Sequence, residues 1–79
     1  MSFEGEYKNG KKDGKGVFKW NDKSSYVGEL VDNELSGFGL YTWGDGKYYE
    51  GSWENNDMNG LGALHWPDGR YYVGYFKDN

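Results

Sequence analysis

The sequence predicts an all-β protein, an elongated single-layered antiparallel sheet of consecutive β-hairpins in an open, solenoid-like array, and three observations predict it. The 79 residues come into register with themselves at a step of 23, and repetition on that scale marks stacked, quasi-one-dimensional folds. Within each unit the apolar residues recur at every second position, which is the period of a strand. Aromatic residues form 20% of the chain although the whole hydrophobic set reaches only 35%, and Gly fills 14 positions. That balance suits thin β structure better than a packed helical bundle.

The elements follow in order from the alignment of Phe3, Tyr26, Tyr49 and Tyr72. Two residues after each aromatic comes Gly5, Gly28, Gly51 or Gly74, and two later an apolar residue, Tyr7, Leu30, Trp53 or Phe76. This is one short strand per unit. A polar stretch rich in Asn, Asp and Gly follows (Lys8 to Asp13, Val31 to Ser36, Glu54 to Asn59) and reads as a hairpin loop, with Asn56 as an ordinary loop position. The second strand carries Gly14/Gly16, Gly37/Gly39 and Gly60/Gly62, then Phe18, Tyr41 or Leu64, then Trp20, Trp43 or Trp66. A tighter turn follows each Trp, at Asn21-Asp22-Lys23, Gly44-Asp45-Gly46 and Pro67-Asp68-Gly69. Tyr72 to Phe76 reads as the first strand of a fourth hairpin, which makes seven strands in all. The chain is thus one domain, residues 1–79, with repeats 3–25, 26–48, 49–71 and a partial repeat 72–79.

Glycine weakens a strand, so three per unit at strand spacing need a packing reason. Rings laid across the bare backbone supply one, giving an aromatic ladder on one face. The other face begins polar, with Glu4, Glu6, Lys15 and Lys19, and turns apolar through Val27, Phe38, Leu40, Leu61, Ala63 and Tyr75. No stretch has a capped helical period to cover either face, so apolar surface is expected to stay open to a partner.

Composition restricts the function classes. The net charge of −4 is uneven: residues 1–25 carry six Lys against four acids, whereas residues 26–48 and 49–71 each carry one base against four acids. Such a balance lacks the basic stripe that phosphate backbones demand, so no nucleic acid is expected. The chain has no Cys, hence neither disulfide nor thiolate metal site. Its longest apolar run, Tyr71-Tyr72-Val73, is far below the roughly 20 residues of a membrane span. No signal-like segment opens the chain, and the expected location is cytoplasmic, at the periphery of membrane or cytoskeleton.

Catalysis finds no footing. His65 is the single histidine and has neither a cysteine nor a motif-placed serine beside it, so it reads as a surface residue on the alternate face of its strand. Gly10 to Gly16 is one residue short of a phosphate-binding loop and carries Gly16 where Ser or Thr would bind magnesium. One acid per turn, at Asp22, Asp45 and Asp68, falls far below the coordination calcium needs and reads as turn chemistry. No enzyme activity, cofactor or metal is expected.

Tyr49-Glu50-Gly51-Ser52-Trp53-Glu54-Asn55 and Asn59-Gly60-Leu61-Gly62 resemble the MORN (membrane occupation and recognition nexus) repeat, Tyr-x-Gly-x-Trp-x-x-Gly followed by Gly-x-Gly. The resemblance covers essentially the whole chain. It departs from the pattern at Phe3 for the leading Tyr, Leu30 for Trp, Lys23 for the turn Gly and Tyr75 for an acidic residue. It implies a single-layered sheet with a curved groove and a non-catalytic module that engages proteins, with links to phospholipid membranes or the cytoskeleton in some members.

Together these readings predict a scaffold that holds a protein partner's segment in a groove lined by Tyr26, Tyr41, Trp43, Tyr49, Trp53, Trp66 and Tyr72. The alternatives are a carbohydrate or choline-type ligand held by ring stacking, and recruitment to anionic membrane by a basic patch of Lys11, Lys12, Lys15 and Lys19, with weak contact expected against an acidic remainder. The unpaired last strand, or the apolar alternate face, is further expected to support a homodimer.

Overall fold

Each repeat becomes a hairpin, and the strands pair strictly in chain order. The computed structural model describes residues 1–77; Asp78 and Asn79, the end of the partial repeat, lie outside the described residues. The strands are β1 (Ser2–Lys8), β2 (Lys11–Lys19), β3 (Ser25–Val31), β4 (Glu34–Thr42), β5 (Tyr48–Glu54), β6 (Asp57–His65) and β7 (Tyr71–Phe76). They form one antiparallel sheet in the order β1-β2-β3-β4-β5-β6-β7, with principal extents of 40 × 26 × 15 Å. The all-β, single-layered reading therefore holds, and the described residues contain no helix.

One row of residues organises the sheet. Gly5 faces Gly16, Gly28 faces both Gly16 and Gly39, Gly51 faces both Gly39 and Gly62, and Gly74 faces Gly62. Over this bare track lie Phe3, Tyr26, Tyr49 and Tyr72, each running along its own strand. A Cβ at Gly39 would land inside the Tyr26 ring, and one at Gly28 would come within 2.5 Å of the Gly39 Cα. The rings descend far enough for the Tyr26 hydroxyl to donate to the Glu29 carbonyl at 2.8 Å and the Tyr49 hydroxyl to the Ser52 carbonyl at 2.9 Å. Tyr26 and Tyr49 are 0% exposed and form the core with Phe18, Leu30, Leu35 and Trp53.

The hairpin loops are shorter than the sequence reading had them. The turns comprise only Asn9-Gly10, Asp32-Asn33 and Asn55-Asn56, with positive φ at both central residues, the two-residue geometry that matches strand twist. The rest of each polar stretch is strand containing a bulge. Where Glu6 alone separates Gly5 from Tyr7, the facing strand inserts Asp13, Gly14 and Lys15; the same shift recurs opposite Glu29 and Ser52. The first glycine of each pair therefore serves the bulge rather than a ring: Gly37 has φ +102°, and a Cβ there would strike the Glu29 side chain. Glu29 Oε1 accepts the Phe38 N–H at 2.6 Å, and Glu6 Oε1 accepts the Lys15 N–H at 2.6 Å, so a carboxylate occupies each of the first two bulges.

Asn56 is correspondingly more than a loop residue. Its amide oxygen accepts the Leu35 N–H at 2.8 Å and its own N–H donates to the Leu35 carbonyl at 2.9 Å. Asn33 grips Lys12 in the same way, at 2.8 Å in each bond. These reciprocal bonds tie each hairpin tip to the preceding one. At the opposite edge the three Trp that follow β2, β4 and β6 close the turns: Trp20, Trp43 and Trp66 accept from Lys23, Gly46 and Gly69, respectively, at 3.0–3.1 Å. The recurrent acids act inside these turns, where Asp22, Asp45 and Asp68 accept the backbone N–H of Ser24, Lys47 and Arg70 at 2.9–3.0 Å. Bonds from the Ser24 hydroxyl and backbone hold the Asp22 carboxyl below its usual range, and the Arg70 backbone N–H and then its side chain do the same for Asp68.

Three stability outcomes follow. Gly39→Ala is expected to cost about 3 kcal/mol in urea unfolding, the upper range for forced overpacking, because the added methyl and the Tyr26 ring need one space. Ser52→Glu is expected to raise stability by about 1 kcal/mol by giving the third bulge the carboxylate that the other two contain; an unchanged urea midpoint would discount the carboxylate's role. The third outcome is alkaline: burial first, and the Glu29 charge second, push Tyr26 up to about 12 from 10.0. The folded state thus holds this proton more tightly, so the contribution is complete below pH 10 and lost as pH rises towards 12. Unfolding free energies from pH 8 to 12 should fall more steeply for wild type than for Tyr26→Phe.

Candidate functional site

Two surfaces compete for a functional role, and the burial of the rings decides how much each offers. On the ring face, Tyr26, Tyr49 and Trp53 are buried, the last only 7% exposed. Trp53 sits edge-on to Tyr26 and Tyr49, at 5.6 and 5.2 Å with interplanar angles of 88°, and its indole N–H donates to the Gly39 carbonyl at 3.2 Å. Edge-to-face pairs of this kind add about 1 kcal/mol each beyond area burial. These three rings of the expected groove present almost no surface, because the glycine track draws the tyrosines down onto the backbone.

Of the remaining groove residues, Tyr41, Trp43 and Trp66 are half-buried and Tyr72 is exposed. Tyr41 leans on Trp43 at 4.8 Å and on Trp20 at 5.5 Å. A shallow depression of about 220 Å³ lies against Leu35, Tyr41, Trp43, Trp53 and Met58, room for one side chain rather than a continuous channel. The outer indole faces are also occupied from within the chain: the Lys47 ammonium stands 4.5 Å from the Trp43 ring centroid and the Arg70 guanidinium 5.7 Å from that of Trp66.

The basic patch divides between the faces. Lys12 faces Tyr7 in register, and its ammonium lies 5.3–5.9 Å from the ring centroids of Phe3, Tyr7 and Phe18. Lys15 and Lys19 alternate with Gly16 and Phe18 and so stand on the opposite face, as does Lys11, the neighbour of Lys12. The four ammonium groups do not form one surface.

The opposite face presents the larger apolar feature. A row runs straight across the sheet through Val17, Val27, Leu40, Glu50, Ala63 and Val73. Beside it lie Phe38 on β4 and the facing pair Leu61 and Tyr75. Phe38 is 59% exposed and Tyr75 79%. Over the first half of this row is a hollow of about 570 Å³, floored by Val17, Val27, Leu40 and the glycine track and edged by Phe38, Glu4, Lys15 and Glu29. Gly16, Gly28 and Gly39 direct no side chain to this face, and the hollow lies over their backbone between Val17, Val27, Leu40 and the taller Phe38. On its far side Tyr48, His65 and Tyr71 stack in one column, with His65 4.6 Å from Tyr48 and 5.8 Å from Tyr71. His65 therefore occupies the alternate face, between two rings rather than beside a nucleophile.

The alternation of Val27, Phe38, Leu40 and Leu61 is visible in the sequence and lies on the face opposite the groove residues named there. Among the described residues no group of three or more His, Asp or Glu is placed to hold a metal ion. A family model described as MORN repeat matches residues 3–25, 26–48 and 49–69. No curated protein matches the chain.

Proposed function

The chain belongs to the MORN repeat family, and from that premise we propose that it is a protein-binding scaffold that receives an apolar, basic segment of a partner in the hollow opposite its ring face. Repeats of this family generally serve as interaction modules for proteins and membranes, and the family is generally non-catalytic. The observation that carries the proposal is the division of labour between the faces: the rings of one face fill the core, while Val27, Phe38 and Leu61 on the other remain exposed beside the half-buried Leu40.

Charge indicates the kind of segment. Glu4 and Glu29 edge the hollow against the one cation Lys15, and Glu50 interrupts the apolar row. The two repeats spanning residues 26–71 carry two bases against eight acids. A segment with Lys or Arg flanking apolar residues would be steered to the part of this face formed by the second and third repeats, away from Lys11, Lys15 and Lys19 on β2. Ring stacking of a sugar or choline is supported less, since Lys47 and Arg70 already cover Trp43 and Trp66. Membrane recruitment is supported less because Lys12 turns to the ring face and Lys11, Lys15 and Lys19 share their face with Glu4, Glu29 and Glu50.

Photo-crosslinking groups placed at Phe38, at Leu61 and, for comparison, at Trp43 should capture one partner segment through the first two positions. A peptide of the captured sequence, titrated by calorimetry, is expected to bind Phe38→Asp at least about 10-fold more weakly than wild type, as loss of a central anchor does. Trp43→Ala should bind nearly as wild type. The reverse pattern would move the site to the ring face, and equal affinities throughout would sink both placements.

A further inference from the structure

The hollow opposite the ring face limits the conformation of whatever fills it, because the strands beneath it have no backbone left to offer. Strands β2 to β6 each pair on both sides, so their donors and acceptors are engaged within the sheet. A segment lying on this face meets side chains and no open ladder. An extended segment there would set its own N–H and C=O groups against apolar surface without partners, which is costly. An α-helix satisfies those groups internally and presents side chains alone.

The direction of the apolar surface adds a second restriction. Along β4 it is short, since Phe38 and Leu40 lie between Ser36 and Thr42 on this face. Across the strands it continues, from Val17 through Val27 to Leu40, and past Glu50 to Ala63 with Leu61 beside it. An occupant that follows it crosses strands spaced about 4.8 Å apart. A helix laid that way advances about 5.4 Å per turn and so brings roughly one apolar side chain to each strand. An extended chain returns to one face every 6.8 Å or about that, and overshoots the next strand by about 2 Å each time.

Charge places the polar borders of that helix. Glu50 faces Leu40 from β5, and Glu29 reaches the backbone of Phe38 from β3 through one carboxylate oxygen. The two acids thus stand diagonally on either side of the Phe38–Leu40 centre. At the β2 end Lys15 and Lys19 flank Val17, so basic side chains belong over β3 to β6. We propose that the occupant of the hollow is an amphipathic α-helix of the partner, with Lys or Arg bordering an apolar stripe that rests on Val27, Phe38, Leu40 and Leu61. Crossing from β2 to β6 spans about 19 Å in four strand steps, or about 13 residues of helix. The inference rests on the protein-binding reading above and adds the conformation and direction of the bound segment.

Two synthetic peptides of one composition, built from Leu, Ala, Gln and Lys, test this directly. In the first, Leu recurs at every third or fourth position with Lys beside the stripe; in the second, Leu alternates with the other residues. Titrated by calorimetry into the whole protein, the first is expected to bind at least about 10-fold more tightly and to gain helical circular dichroism as it binds. Phe38→Asp and Glu50→Lys, both at exposed positions, should each weaken it at least about 10-fold, and Trp43→Ala should leave it nearly unchanged. Should Phe38→Asp disturb the sheet, Glu50→Lys carries the comparison. Tighter binding of the alternating peptide, binding without helix formation, or no affinity for either peptide overturns the helix; a partner segment crosslinked at Phe38 and Leu61 would still uphold the protein-binding reading, so the two failures are told apart. A helical peptide whose affinity survives both substitutions overturns its placement on this face.

Discussion

The close approach of tyrosine rings to bare backbone is the interaction on which the rest of this structure depends. The track of facing glycines from Gly5 to Gly74 lets Tyr26 and Tyr49 lie along their own strands and reach carbonyls three residues away. Those hydroxyls satisfy groups at the bulges, where the ladder is interrupted. The rings then become walls against which Trp53, Leu30 and Phe76 pack. A sheet with no second layer among the described residues thereby acquires a buried core within one face. The reverse side has no such layer of rings, and Val27, Phe38 and Leu61 stay exposed there.

Polar groups fix how successive hairpins sit. Each bulge would free a backbone N–H, and Glu6 and Glu29 accept it in the first two repeats. Each hairpin tip would otherwise splay from its neighbour; Asn33 and Asn56 bridge that gap by bonding both backbone groups of one residue in the preceding hairpin. The acids at the opposite edge are engaged within their turns, which accounts for their recurrence without a ligand. Buried side-chain polar atoms in the described residues all have partners, as a fold with so little depth requires.

Much of the fold was legible in the sequence because repetition multiplies a weak signal. A period of two over five residues is ambiguous alone, but three copies in register set the number of strands, their order and the side of each ring. The two-residue turns were missed because the bulge shifts no parity: two inserted residues leave the alternation intact, so Lys11-Lys12-Asp13 reads as loop composition while forming strand. The candidate site was only partly legible. Depth cannot be read from a residue type, and Tyr26, which is wholly buried, and Tyr75, which is largely bare, occupy equally aromatic surroundings in the chain. What separates them is parity relative to the glycine track. Leu61 and Phe38 carry that information as clearly as any ring does.

The strict chain-order pairing of the strands also governs how this protein is assembled. Every strong strand–strand contact joins elements adjacent in sequence, so no long loop has to close before a contact forms, which is the usual reason β-rich chains fold slowly. A single hairpin cannot shield its own tyrosine, since Tyr26 needs Trp53 of the next unit and Tyr49 needs Phe76 of the one after. The smallest cooperative unit is therefore a hairpin plus the strand that follows it. Order should spread outward from the middle of the array one strand at a time, leaving the terminal strands last to consolidate and first to exchange their amide protons.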